Sequence, residues 1–186
     1  MGGAAREAVT FDHEVRFGLE VELPEVDALA FVRDVRGSLA RAHFLRDLQL
    51  ERADGADGGT VVTATLPVNA ALFGQRDLPF RSRLHLTEGG ARLEGLPLDT
   101  PGPGWAQVSG SVVVTPTPAG SRLAYHFDIR VHVTLPEPER WGGRALSRMI
   151  AYTASTVLTR VTDAIPAAVA SAAEARRAER LAAASL

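Results

Sequence analysis

Leu123-Ala124-Tyr125-His126-Phe127-Asp128-Ile129-Arg130-Val131-His132-Val133-Thr134-Leu135 is the stretch that decides the fold. The odd positions are all apolar or aromatic, and the even positions His126, Asp128, Arg130, His132 and Thr134 are polar. Strict period-2 alternation means one strand with a buried face and a wet face. After Pro136 and Pro138 the period changes to 3.6. Leu146, Met149, Ile150, Thr153, Val157, Val161, Ala164, Ile165 and Ala168 then form one helical stripe, with Arg144, Arg148, Ser155, Thr159 and Thr162 opposite. A long strand thus hands over directly to a long amphipathic helix. Pro166 is expected to kink or interrupt that helix, because it removes a backbone bond and crowds the preceding turn. Residues 171–186 are Ala-rich and helix-prone, with little apolar face for firm packing.

The other end of the chain repeats the first pattern. From Thr10 to Leu23, Phe11, His13, Val15, Phe17, Leu19, Val21 and Leu23 alternate with Asp12, Glu14, Arg16, Gly18, Glu20 and Glu22. Pro24 ends this strand and opens a helix favoured by Glu25 and Asp27 at its positive end. Gly37 is expected to stop that helix, and Ser38 to cap a second short one over Leu39–His43. From Phe44 onward the texture is β. Strands are expected at 44–51, 60–68, 79–88, 91–98 and 105–115, punctuated by glycine- and proline-rich turns, before the final strand at 121–135. Asn69 to Asp77 reads as a loop with an apolar tip at Leu72 and Phe73.

Sequential strands joined by short turns form a meander. A strand of about 14 residues spans roughly 46 Å if straight, so such a sheet must twist and coil. Its concave apolar face needs cover, and the helix that begins near Glu139 is the only element long and apolar enough. The expected class is α+β, with a cavity where the curved sheet and the helix fail to touch.

Composition sets the broad limits. The chain has 186 residues, 46% hydrophobic and 23% charged, which fits a single domain at 1–186 with a core over about 10–172 and a helical tail at 173–186. All 20 basic residues are Arg, and the formal net charge is -2, so no global field draws the chain to nucleic acid or an anionic membrane. There is no Cys, which excludes disulfides, thiol chemistry and zinc–thiolate sites. No apolar run approaches the roughly 20 residues of a membrane span, so stable membrane insertion is not expected. The opening Met1-Gly2-Gly3-Ala4-Ala5-Arg6 lacks the apolar stretch of a signal peptide, and a cytoplasmic location is expected.

The order strand, two short helices, six-strand meander and long C-terminal helix resembles the START-related, birch-pollen-allergen-like helix-grip superfamily, often grouped with polyketide cyclases. The segments Phe11–Leu23, Pro24–Gly37 and Leu123–Leu135 running into Trp141–Val169 carry the likeness, which covers residues 10 to about 172. It is closest to uncharacterised bacterial members. The resemblance implies a helix-grip fold, β-α-α-β6-α, in which the first strand pairs with both the second and the last. It also implies a tunnel between sheet and helix for an apolar small molecule. That superfamily shares no catalytic set, so none is carried over.

The inward parity and the helix stripe nominate a lining of Phe11, Val15, Phe17, Leu84, Val108, Val112, Tyr125, Phe127, Met149, Thr153 and Val157. Among polar candidates, His13 has inward parity and is either a cavity donor or base, or a satisfied core histidine. Arg46 shares parity with Leu48 and Leu50. It either anchors a ligand anion or sits on a bulged strand with its guanidinium in water. The Tyr125 hydroxyl suits an orienting role in a pocket, and equally a core tyrosine bonded to backbone. His126, Asp128, Arg130 and His132 hint at a metal or acid–base cluster, but parity puts them outside. There they face Asp12, Glu14, Arg16 and Glu20 as a salt-bridged surface. Leu72, Phe73, Trp105 and Trp141 serve either as a gate or as a plug.

Three functions fit these residues. The favoured one is a noncatalytic carrier or sensor that sequesters a lipid- or polyketide-like molecule, with no cofactor and no metal. An aromatase- or cyclase-type enzyme would need His13 as base and Tyr125 or Arg46 to hold an enolate, all three converging on one cavity. A noncatalytic interaction module would have a cavity below about 300 Å³. The sequence leaves a homodimer open.

Overall fold

The computed structural model describes residues 8–39, 45–52, 59–70, 74–99, 102–134 and 143–185; side chains are described for these except 8, 68–70, 74–76 and 143–162. The elements run β1 (Ala8–Val21), α1 (Glu25–Arg33), α2 (Val35–Leu39), β2 (Arg46–Arg52), β3 (Thr60–Ala70), β4 (Gly74–Thr87), β5 (Gly90–Leu96), β6 (Gly104–Thr117), β7 (Gly120–Thr134) and α3 (Gly143–Ala184). This is the helix-grip α+β architecture, a curved antiparallel sheet with a long C-terminal helix.

The seven strands order as β1-β7-β6-β5-β4-β3-β2. Among the described residues the first strand therefore pairs with the last, from Ala8↔Thr134 to Val21↔Ser121, but not with the second. Two helices separate β1 from β2 in the chain, α1 packing across β5, β6 and β7 and α2 against α1 and α3, and β2 joins the sheet at its far edge. That corrects the pairing implied by the family resemblance.

The β3–β4 hairpin is longer than the sequence suggested. Gln75, Arg76 and Asp77 belong to β4, paired with Asn69, Val68 and Pro67 of β3. Pro67 lies past the last β2 pair at Thr65, and Pro79 lies before the first β5 pair at Arg81. Among the described residues each proline thus sits where its strand has one paired neighbour, and the missing donor is tolerated.

The helices also differ from expectation. Gly37 lies inside α2 and does not end α1. Asp34 starts α2: its Oδ1 accepts the Gly37 N–H at 2.9 Å, and its carbonyl accepts the Ser38 N–H at 2.8 Å. The expected helix over 39–43 lies, apart from Leu39, outside the described residues. α3 continues through Pro166 to Ala184. Its C-terminal part packs more firmly than its composition suggests: Ile165, Val169, Ala172 and Ala173 are buried. Arg177 and Arg180 reach Glu22 at 2.5 Å and Asp27 at 2.7 Å, fastening the helix to the β1–α1 corner.

Two apolar clusters fill the concave face. One gathers Leu23, Phe31, Val32, Val35, Leu84, Val112, Leu123, Tyr125 and Val169 under α1, α2 and the C-terminal part of α3. The other gathers Ala64, Leu66, Leu78, Phe80, Ala106, Val108, Ile129 and Val131 at the opposite end of the sheet. There β4 and β6 draw together, and the fully buried Ser82 Oγ donates to the Val108 carbonyl at 2.7 Å. Among the described residues no helix is long and apolar enough to cross a membrane.

Candidate functional site

Between the α1–α2 pair, the sheet and Val169 of α3 lies a hollow of about 50 Å³. The sheet supplies Leu84, Ala91, Leu93, Gly110, Val112, Tyr125 and Phe127, with Arg92 and Ser111 at its edge, and the helices supply Val32, Val35, Ser38 and Leu39. Period-2 alternation puts the strand residues on this face, and Asp34 holds α2 so that Val35 and Ser38 turn inward.

An aromatic wall stands along one side. Phe17 stacks on Tyr125 with ring centroids 4.9 Å apart and planes within 10°. Phe127 continues the row, 5.9 Å from Tyr125 and 6.5 Å from Phe17. Burial alone pushes the Tyr125 phenol far above its ordinary range, so it is neutral at every physiological pH. No hydrogen bond to its hydroxyl occurs among the described residues. The wall can therefore offer π-faces and one neutral donor, but no charge.

Gly110 makes this wall possible. It occupies an inward position in the row Ala106, Val108, Gly110, Val112, Val114, directly opposite Phe127 in the β6–β7 ladder. A Cβ built there would lie 2.6 Å from Phe127 Cδ1 and 2.7 Å from the His126 carbonyl. The ring lies where a side chain would otherwise project. The break in a valine row was the available signal in the sequence, but it has meaning only once its register partner is known.

α1 closes the rim by a polar clamp. Arg33 Nη2 donates to the carbonyls of Thr87 at 2.6 Å and Glu88 at 3.0 Å, and Nε donates to Gly90 at 3.4 Å. All three acceptors belong to the β4–β5 hairpin, so the helix pair is latched over the hollow.

The sequence candidates divide. Leu84, Val112, Tyr125 and Phe127 line the hollow, and Phe17 backs it. Val15 lies opposite Phe127 in the β1–β7 ladder, half-buried. Val108 and Phe11 belong to the other cluster. His13 edges a groove of about 450 Å³ lined also by Asp12, Glu14, Gln107, Ser109, Asp128, Ile129 and Arg130, most of them on the outer face. Arg46 is exposed on edge strand β2, at a register shift that also places Asp47 at φ 52. His13, Tyr125 and Arg46 therefore do not converge, as the cyclase-type arrangement would require. The side chains of Met149, Thr153 and Val157 lie outside the described ones, as do residues Leu72, Phe73 and Trp141. Trp105 stacks on His132 at 4.0 Å and does not line the hollow.

The outer face of β1 and β7 is a network of ion pairs. Arg130 meets Asp12 at 2.6 Å, and Arg16 and His126 meet Glu14 at 2.5 and 2.8 Å. The Arg16 hydrogen bond chiefly holds the Glu14 carboxyl below its ordinary value. Glu14, His126 and Asp128 bring donor atoms within 4.8 Å of one another, a spacing a metal could use. Arg16 already neutralises Glu14 there, and all three side chains are a third or more exposed (51%, 35% and 62%). Solvated ion pairing accounts for the cluster.

Solved structures share this fold. The di-domain ARO/CYC StfQ from the steffimycin biosynthetic pathway matches with a TM-score of 0.55 at 18% identity, over 94% of this chain and 52% of that one. The di-domain ARO/CYC BexL from the BE-7585A pathway matches with a TM-score of 0.52 at 15% identity, over 89% of this chain and 50% of that one. The chain thus spans about half of each di-domain protein. The Zhui aromatase/cyclase from Streptomyces sp. R1128 matches over 91% of this chain and 96% of that one, with a TM-score of 0.49 and 18% identity. No curated protein matches the sequence. At 15–18% identity, the likenesses to StfQ and BexL show a shared fold. Residues 16–163 match a family model, and the chain belongs to the family described as "Protein of unknown function (DUF3809)".

Proposed function

We propose that this chain is a noncatalytic, cytoplasmic carrier or sensor that takes up a compact, neutral, apolar molecule between its sheet and its helices. The observation that carries the reading is the stacked wall of Phe17, Tyr125 and Phe127 facing a mostly apolar hollow, whose one charged lining residue, Arg92, is exposed to solvent. Apolar guests gain from such a surface because their transfer from water is favourable at about 25 cal/mol per Å². A fold shared with ARO/CYC proteins is consistent with a binding role. Lipid- or polyketide-like guests remain within the proposal, but the described hollow of about 50 Å³ favours the small end of that class. No nucleic-acid partner is part of the reading, and the residues from 10 to about 172 would act as one binding domain.

The same volume favours a second reading. Small-molecule sites usually exceed about 300 Å³, so a pocket this size also suits an interaction module whose cavity is vestigial. Native mass spectrometry of protein purified from its own host separates the two. The carrier reading expects co-purifying mass that organic extraction removes. A clean spectrum, with no uptake of a neutral fluorescent apolar probe afterwards, overturns it in favour of the module.

A further inference from the structure

We infer that Phe127, seated on Gly110, is the divider that limits the length of guest the hollow admits. This rests on the reading of the hollow as a binding site for apolar molecules. The two apolar clusters meet at Phe127: its ring packs against the buried residues of both, and among the described residues only Leu48 of edge strand β2 does the same. On one side of the ring is the hollow. On the other are Val108 and Ile129, adjacent to it across the β6–β7 ladder.

The ring holds this position for a stated reason. Gly110 leaves an opening in the inner face of β6, and the ring fills it, touching β6 backbone where any side chain would collide. Tyr125 and Phe17 then stack beside it, so the ring cannot turn toward β1 without breaking two aromatic contacts. Gly110 is a positioning residue and Phe127 the size-limiting one. With the ring in place, the site suits a molecule no longer than about one ring. With the ring withdrawn, the hollow continues toward Val108 and Ile129 and suits an elongated apolar chain.

The test uses the full chain and two neutral probes, toluene as the short one and 1,6-diphenylhexatriene as the long one. Phe127→Ala is expected to bind diphenylhexatriene at least about tenfold more tightly than the unmodified chain, while toluene, which loses one ring of its wall, binds more weakly. Phe127→Leu, which keeps an apolar side chain, is the second variant if the alanine form lacks a cooperative melt; it is expected to show the same direction with a smaller gain. If either folded variant gains nothing for the long probe, or the unmodified chain already binds it as tightly, Phe127 does not limit length. The reading beneath fails separately. Should the unmodified chain bind no toluene while the folded variant takes up diphenylhexatriene, the divider stands and the natural carrier role falls.

Discussion

The two faces of the β1–β7 pair are built from the same two strands, yet they do opposite work. Inward, Phe17, Leu19, Leu123, Tyr125 and Phe127 form a continuous apolar surface, with Leu123 at 0% exposure. Outward, Arg130 pairs with Asp12 and His126 with Glu14 across the ladder, and Arg16 pairs with Glu14 along β1, all of them a third or more exposed. Adjacent residues therefore differ severalfold in what they contribute. Burial removes about 25 cal/mol per Å² of apolar surface from water, whereas exposed ion pairs typically contribute under about 1 kcal/mol. The chemistry that looks richest in the sequence lies on the face with least consequence for stability.

The largest effect expected from this contrast is at Leu123. Replacing it with Ala should lower the unfolding free energy by about 3 kcal/mol in urea denaturation, because a fully buried leucine leaves a cavity. A loss below about 1 kcal/mol would mean that the inner face is loosely packed. Next comes the rim where the faces meet. Arg33→Ala removes three donors to the β4–β5 hairpin and should cost about 1–2 kcal/mol. It should also speed amide exchange selectively in α1 and α2, since these helices are latched there. Uniform exchange across the whole chain would argue against a latch.

His132 is the outer-face residue that departs from the pattern. It stacks on Trp105, its Nδ1 lies 3.1 Å from Thr10 Oγ1, and its buried Nε2 has no partner among the described residues. Burial, then the Arg130 charge, lowers its pKa from the ordinary 6.5, with Asp12 opposing. The unfolded chain therefore takes up a proton first as pH falls. The associated stability is in place above pH 6.5 and is lost progressively below it, toward the folded-state pKa. His132→Asn should flatten that slope in melts between pH 5 and 7; an unchanged slope would place its origin elsewhere. Smallest of all, Asp12→Asn should shift stability by less than about 0.5 kcal/mol, since Asp12 and Arg130 are 68% and 54% exposed. A larger loss would show that the outer network is cooperative.

Much of this was legible in the sequence because period 2 is unambiguous. β1, β7 and the parity of their side chains follow from alternation, and the long helix after β7 from the change to a period of 3.6. The hidden parts depended on partners distant in the chain. Gln75-Arg76-Asp77 looks like a loop, and only pairing with residues 67–69 makes it a strand. Gly37 looks like a helix stop until the Asp34 carboxylate caps it. Gly110 is featureless without Phe127 opposite, and Arg33 resembles any surface arginine until the hairpin carbonyls meet it. Arg46 shared parity with apolar neighbours, but the register shift in β2 turned it to solvent.

Titration of isotopically labelled protein with toluene, read from side-chain methyl signals by NMR, tests the central claim most directly. The account predicts saturable shifts concentrated at Leu84, Val112 and Val169, which line the hollow. Shifts confined to the exposed Val113 and Val26, or none that saturate, would contradict it.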